Sequence, residues 1–148
     1  MPNLAVNKTA RSDYEFLEVF EGGLKLSGAE VKSAKAGNMS MRGSHVSVEK
    51  GELWLKNMHI GKYAPAGSQE EYDPTRPRKV LVHKRELQRL IGKTKEKGLT
   101  IVPIRVYTKG ALVKLEFALA RGKAKHEKRE QLKKRDIMRE AERQAKDL

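Results

Sequence analysis

Along the first 120 or so positions the spacing of apolar residues switches between period two and a helical repeat. "YEFLEVF", residues 14–20, is rich in aromatic and β-branched residues and has strand length. Gly22-Gly23 predicts a turn, after which Leu24 and Leu26 alternate with Lys25 and Ser27. "AEVKSAKAG" is built of helix formers and closes on Gly37, which predicts about two helical turns. Val46 and Val48, then Lys50-Gly51, then Leu53 and Leu55 read as a hairpin. Residues 61–78 carry Pro65, Pro74 and Pro77 and predict a long loop. "KVLVH" resumes a strand. "HKRELQRLIGKTKEKG" puts Leu87, Leu90 and Ile91 at i, i+3, i+4 with Gly98 as a stop, an amphipathic helix with one core-facing stripe. Two last strands meet at Lys109-Gly110, with Val113, Leu115, Phe117 and Leu119 on one face.

Together these elements predict a mainly β fold with short helices. About six antiparallel strands, mostly joined by hairpins, with a helix between the fourth and fifth, suit a small closed or partly closed barrel. The barrel occupies residues 1–122. Residues 123–148 form a separate basic tail, expected to be disordered or helical only on binding.

The tail changes the functional picture. "KAKHEKREQLKKRDIMREAERQAKDL" holds ten basic and six acidic residues and few large apolar ones, so it has no core to bury. It has no Pro or Gly, and Glu130 to Lys134 and Glu142 to Lys146 are favourable i, i+4 pairs. On a helix Ile137, Met138, Ala141, Ala145 and Leu148 share one thin stripe. The whole chain carries +13 over 148 residues; +4 sits on the tail, and the remaining +9 makes the body basic too. Such a field favours polyanions, nucleic acid before an anionic membrane. Aromatics are only 5%, which argues against a broad base-stacking platform. No cysteine is present, so thiolate metal sites and a Cys nucleophile are excluded. No run of 18 apolar residues occurs, and the N-terminal stretch lacks a signal-peptide core. A soluble cytoplasmic protein without a cofactor or resident metal is the expectation.

Catalytic signals are weak. His45, His59, His83 and His126 form no HxxxH pair. Glu70, Glu71 and Asp73 are acidic loop residues of the kind that is usually solvated. "GKTKEKG" lacks the spacing of a phosphate loop and follows no strand-to-helix turn; Lys93, Lys95 and Lys97 in it are candidate contacts to RNA phosphate. No Ser-His-Asp arrangement emerges. The chain is expected not to be an enzyme.

Five stretches occur in an order that resembles one family. "NKTARSDYEFLEVFEGGLKLSGAEVKSAKAG", "NMHI", "DPTRPRKVLVHKREL", "IGKTKEKGLTIVPIRVY" and "LARGKAKHEKREQLKKRD" are similar to the SmpB family of tmRNA-binding proteins, also called SsrA-binding proteins. The resemblance runs from about Asn7 to Arg139. It implies an oligonucleotide-binding (OB) barrel that binds the tRNA-like domain of tmRNA and delivers it to stalled ribosomes for trans-translation, the rescue and peptide-tagging reaction. It implies a tail placed in the decoding centre and the vacant mRNA channel. Elongation factor Tu and alanyl-tRNA synthetase are implied as indirect partners, through tmRNA.

The family's RNA contacts fall on Asn7, Glu21 and Leu81, with Lys8, Arg11 and Lys123 among the nearby cations. Glu21 is a carboxylate and so points to recognition rather than general affinity. Leu81 reads equally as core. In the tail, the family's aromatic or His followed by Asp-Lys-Arg falls on His126, Glu127, Lys128 and Arg129. Lys133, Lys134, Arg135, Ile137 and Met138 complete the expected ribosome-facing set. The departures are Ala29 for Thr or Trp, Glu127 for Asp, Ala124 for a second Lys, and Gly61-Lys62 for Ser-Pro or Thr-Pro after "NMHI". A ribosomal protein or general OB-type RNA chaperone is the rival binding reading. A nuclease built from His59 or His83 with the loop acids is the enzyme rival. Membrane attachment by the tail is disfavoured by its thin apolar stripe.

Overall fold

The computed structural model describes residues 2–63, 71–123, 137–139 and 141. In chain order the body comprises β1 (Asn3–Val6), α1 (Ala10–Asp13), β2 (Tyr14–Leu24), α2 (Gly28–Lys35), β3 (Met39–Ser40), β4 (His45–Glu49), β5 (Glu52–Lys56), β6 (His59–Ile60), β7 (Arg78–Leu81), α3 (Lys84–Lys93), β8 (Leu99–Lys109) and β9 (Leu112–Gly122). The expected hairpins form where turn chemistry puts them. Lys50 and Gly51 both have positive φ, 51° and 74°, as a two-residue type I′ turn between β4 and β5 requires. Gly110, at φ 60°, turns β8 into β9.

Seven strands join one antiparallel sheet in the order β1-β8-β9-β2-β7-β5-β4, and β3 pairs with β6 in a separate ribbon. This corrects the expectation of a closed barrel of about six strands. The sheet curls, helped by register shifts in β2 near Leu17 and in β8 near Pro103. Its far strand β4 comes to lie against β8, but no ladder joins them. A groove of about 280 Å3, lined by Val46, Ser47, Val48, Leu99 and Thr100 with Thr94 from the end of α3, lies along that seam.

Gly22-Gly23 is the second correction. β2 runs through both glycines as extended strand instead of turning. A Cβ on Gly22 would stand 2.7 Å from Val80 Cγ1 and 3.2 Å from Phe117 Cε1. The glycine therefore lets β7 and the stacked Phe20–Phe117 pair (centroids 5.5 Å apart) approach the strand. Gly22→Ala is expected to destabilise the protein by about 1–3 kcal/mol, the range for overpacking a core. Urea unfolding measures this, and a loss below a few tenths would mean that the site relaxes freely.

Phe20, Leu53, Leu55, Val106, Leu115 and Phe117 anchor the core on the inner face. Leu90 of α3 is fully buried in it, with Leu87 packed at its edge, as the helical stripe predicts, while Ile91, the third member of that stripe, is half-buried. On the opposite face α1 sets Ala10 against Val102 and Ala120, with Tyr14 and Phe16 alongside.

An ionic cluster holds the loop that leads into β7. Ser27 caps α2, its Oγ accepting from Glu30 N at 3.2 Å, while the Glu30 carboxylate accepts from Ser27 N at 3.0 Å. The same carboxylate, almost fully buried, receives Arg78 Nη2 at 2.7 Å and Nε at 3.0 Å, and also the guanidinium of Arg76. Arg78 further donates to the carbonyls of Met58 and Pro74, and Tyr72 donates its hydroxyl to the Ile60 carbonyl at 2.8 Å. Burial would push the Glu30 carboxyl up. The bonds from Arg76, the Ser27 amide and Arg78 outweigh burial and hold it at about 2.

The tail lies mostly outside the described residues. Residues 137–139 and 141 are helical, and Ile137 and Met138 are exposed. No helix among the described residues is long and apolar enough to cross a membrane.

Candidate nucleic-acid interface

Strand alternation sends Leu53, Val80, Leu115 and Phe117 inward and Glu21, Leu81, Tyr107 and Lys114 to the other face of the sheet. Glu21 is exposed, with Gly22 beside it buried. Tyr107, itself 1% exposed, donates its hydroxyl to Glu21, and Lys109 Nζ stands 3.3 Å from the same carboxylate. The Tyr107 hydrogen bond is the first cause that holds the Glu21 carboxyl below its ordinary range, against partial desolvation; Lys109 and Lys114 add to it. Burial and the Glu21 bond together push the Tyr107 phenol up, so it stays a donor. Arg105 lies 4.2 Å from the Tyr107 ring centroid and donates to Asn3 Oδ1 at 2.8 Å. The result is an ionised carboxylate held in place with acceptor capacity directed to solvent.

Leu81 settles its ambiguity: it is 49% exposed and is not core. With Gly23, Leu26, Leu112 and Lys114 it lines an open groove of about 390 Å3. An apolar wall beside a fixed acceptor suits a nucleobase, with an apolar face and N–H edges.

The other body residues fall into two further places. Asn7 is half-buried and its side-chain amide is spent: Nδ2 donates to the Pro103 carbonyl at 2.8 Å, and its backbone N–H to the Ile104 carbonyl at 2.8 Å. It pins the end of β1 to the bulge in β8. Beside it Lys8 and Arg42 flank a groove of about 530 Å3. Arg11 is exposed over the Phe16 ring. Lys123 donates from Nζ to the Arg11 carbonyl and from its backbone to the Asp13 carbonyl, both at 2.9 Å. The start of the tail is thus tied to α1. Lys93 ends α3 and Lys95 and Lys97 lie on the turn from it into β8, with Lys93 paired to Glu96 at 3.3 Å. Leu99 and Tyr107 are eight residues apart on β8, so this lysine turn and the Glu21 site lie roughly 26 Å apart along the strand. The structure therefore does not bring all the predicted cations to one patch. His126, Glu127, Lys128, Arg129, Lys133, Lys134 and Arg135 lie outside the described residues.

Of the acids on which the enzyme rival draws, Glu70 lies outside the described residues. Asp73 caps its own loop, accepting from Thr75 N at 2.9 Å and Thr75 Oγ1 at 3.1 Å. His83 precedes α3, its backbone N–H bonded to Glu86. Among the described residues no three His, Asp or Glu side chains converge on a metal position.

The family model described as SmpB protein matches residues 4–147. The chain belongs to the SmpB family. An SsrA-binding protein of Carboxydothermus hydrogenoformans is 50% identical over 139 residues, covering 94% of this chain and 93% of the relative. One from a Sulfurihydrogenibium species is 52% identical over 139 residues, covering 94% and 91%. A solved structure described as "tmRNA-SmpB: a journey to the center of the bacterial ribosome" is 47% identical, with a TM-score of 0.65 over 81% of this chain and 84% of that one. Sequence reasoning missed Tyr107, Arg105 and Lys109 in this SmpB chain. The signal was present in "RVYTK", where an aromatic alternates with cations on a strand, but its partner Glu21 is 86 positions away.

Proposed function

We propose that this chain binds the tRNA-like domain of tmRNA and delivers it to stalled ribosomes for trans-translation, as an RNA-binding factor that performs no catalysis itself. The curled seven-stranded sheet serves as an OB-type module, and its outer face, around Glu21 and Leu81, meets the RNA. The tail acts separately, on the small-subunit decoding centre and the vacant mRNA channel, through His126 to Arg129 and the segment from Lys133 to Met138. Lys8, Arg11, Lys123 and the lysines at 93, 95 and 97 supply phosphate contacts that hold the RNA against the body.

The observation that carries this reading is the ionised Glu21, held by Tyr107 and Lys109 beside exposed Leu81. A surface built only to attract polyanions gains nothing from a fixed carboxylate. One built to read a nucleobase gains an acceptor for its N–H groups. Glu21→Ala is expected to weaken binding of the tRNA-like RNA roughly tenfold, the scale of one charge-assisted hydrogen bond. The slope of log K against log salt should stay unchanged, because no phosphate contact is lost. Lys97→Ala should do the opposite, reducing the slope with a smaller effect on affinity. Titrations of labelled RNA at several salt concentrations separate the two. Tighter binding by the Glu21 variant would show that the carboxylate only repels RNA.

A further inference from the structure

Trp54 is the chain's only tryptophan. Its neighbours Leu53 and Leu55 are buried, so strand alternation turns the indole to the outer face, where it is half-buried. It pairs in register with Lys79 of β7. It lines an open cleft of about 400 Å3 with Lys25, Leu26, Ser27, Arg76 and Lys79. Lys79 is paired to Glu52 at 2.9 Å and Arg76 is engaged by Glu30, but exposed Lys25 carries no ion pair among the described residues.

The register joins this cleft to the Glu21 site. Lys79 and Leu81 are two residues apart on one face of β7, about 7 Å. Leu81 pairs with Gly23, two residues beyond Glu21 on β2. The Lys25 backbone N–H donates to the Lys79 carbonyl at 3.0 Å, so the end of β2 closes the cleft beside the indole.

We infer that Trp54 is a base-stacking contact for an unpaired nucleotide of the same tRNA-like RNA, with Lys25 on the adjoining phosphate. This rests on the proposed function and extends its interface by one strand. A base offers a π face whatever its identity, and a ring flanked by cations accommodates both the base and its backbone. An apolar protein partner would have to cover exposed Lys25 beside the ring, whereas a polyanion is drawn to it.

The single tryptophan makes the test direct. The full chain is titrated with the tRNA-like domain of tmRNA, following Trp54 emission and the anisotropy of labelled RNA together. Emission is expected to fall by about half or more along the same isotherm as the anisotropy. Trp54→Leu is expected to bind about tenfold more weakly. Trp54→Phe should retain most of the affinity, and it serves as the folded control if the leucine variant does not fold. RNA binding with unchanged emission and a Trp54→Phe protein insensitive to further loss at Lys25→Ala would overturn the inference and leave the function standing. Quenching by small ribosomal subunits but not by the RNA would overturn the assignment to this RNA. Failure of the wild-type chain to bind the RNA removes the functional reading and the stacking site with it.

Discussion

Replacing Arg78 with methionine is expected to remove about 3–5 kcal/mol of folding stability, the scale for a buried ion pair that loses one partner. Arg78 is fully buried and Glu30 nearly so. The change leaves the Glu30 carboxylate in the interior with Arg76, the Ser27 amide and the Tyr72 hydroxyl to hold it. It also strips a donor from the Met58 and Pro74 carbonyls. That is a large share of the 5–15 kcal/mol typical of a whole domain. Urea unfolding of Arg78→Met, Glu30→Gln and the double variant gives the coupling. The double variant should recover part of the loss, because it removes the orphaned charge. A single-variant loss under 1 kcal/mol would show that water enters and solvates the site.

The same cluster sets an acid limit. Glu30 ionises in the folded chain at about 2, against an ordinary 4.5. A depressed folded pKa adds stability that is complete above the unfolded value and is lost as protons bind. Stability should therefore decline between about pH 4.5 and pH 2, and this part of the decline should be missing in Glu30→Gln.

What could be read from the sequence divides by range. The Lys50-Gly51 turn was legible because a two-residue hairpin dictates positive φ locally. The α3 stripe was legible because one helix carries its own period. Gly22-Gly23 misled because glycine answers two demands, a turn or a close approach, and only Val80 and Phe117, distant in sequence, decide between them. Closure misled for the same reason. Asn3 pairs with Tyr107, so the first strand adds to one edge of the sheet through a contact that no local pattern encodes. At the site, Glu21 stood out as an acid in a basic protein, but its fixing by Tyr107 and Lys109 came only with the β2-β9-β8 order. Leu81 was decidable in principle: with Val80 inward, alternation sends Leu81 out.

A chain that ends after Lys123 is expected to bind the tRNA-like RNA nearly as well as the full protein and to lose tagging on stalled ribosomes. Lys123 is the sensible last residue because its backbone and ammonium both bond to α1. Truncation cannot tell a helix from a cationic strand, and Ala141→Pro can. Ala141 is helical together with residues 137–139, and Ile137 and Met138 on that segment are exposed. Proline there removes a backbone donor and clashes with the preceding turn, a cost of about 3 kcal/mol inside a helix. If docking uses the helix, that cost falls on docking, and tagging in a reconstituted system with a truncated message should drop on the order of a hundredfold. Ala141 is exposed, so RNA affinity and unfolding midpoint should stay within about 0.5 kcal/mol of wild type. Neutralising Lys133, Lys134 and Arg135 together is the opposite control, because it alters charge without a helix breaker. Tagging that survives the proline but fails on neutralisation would mean that the tail docks as an extended cationic strand. Loss in both would mean that charge draws the tail to rRNA while the helix sets Ile137 and Met138 against it.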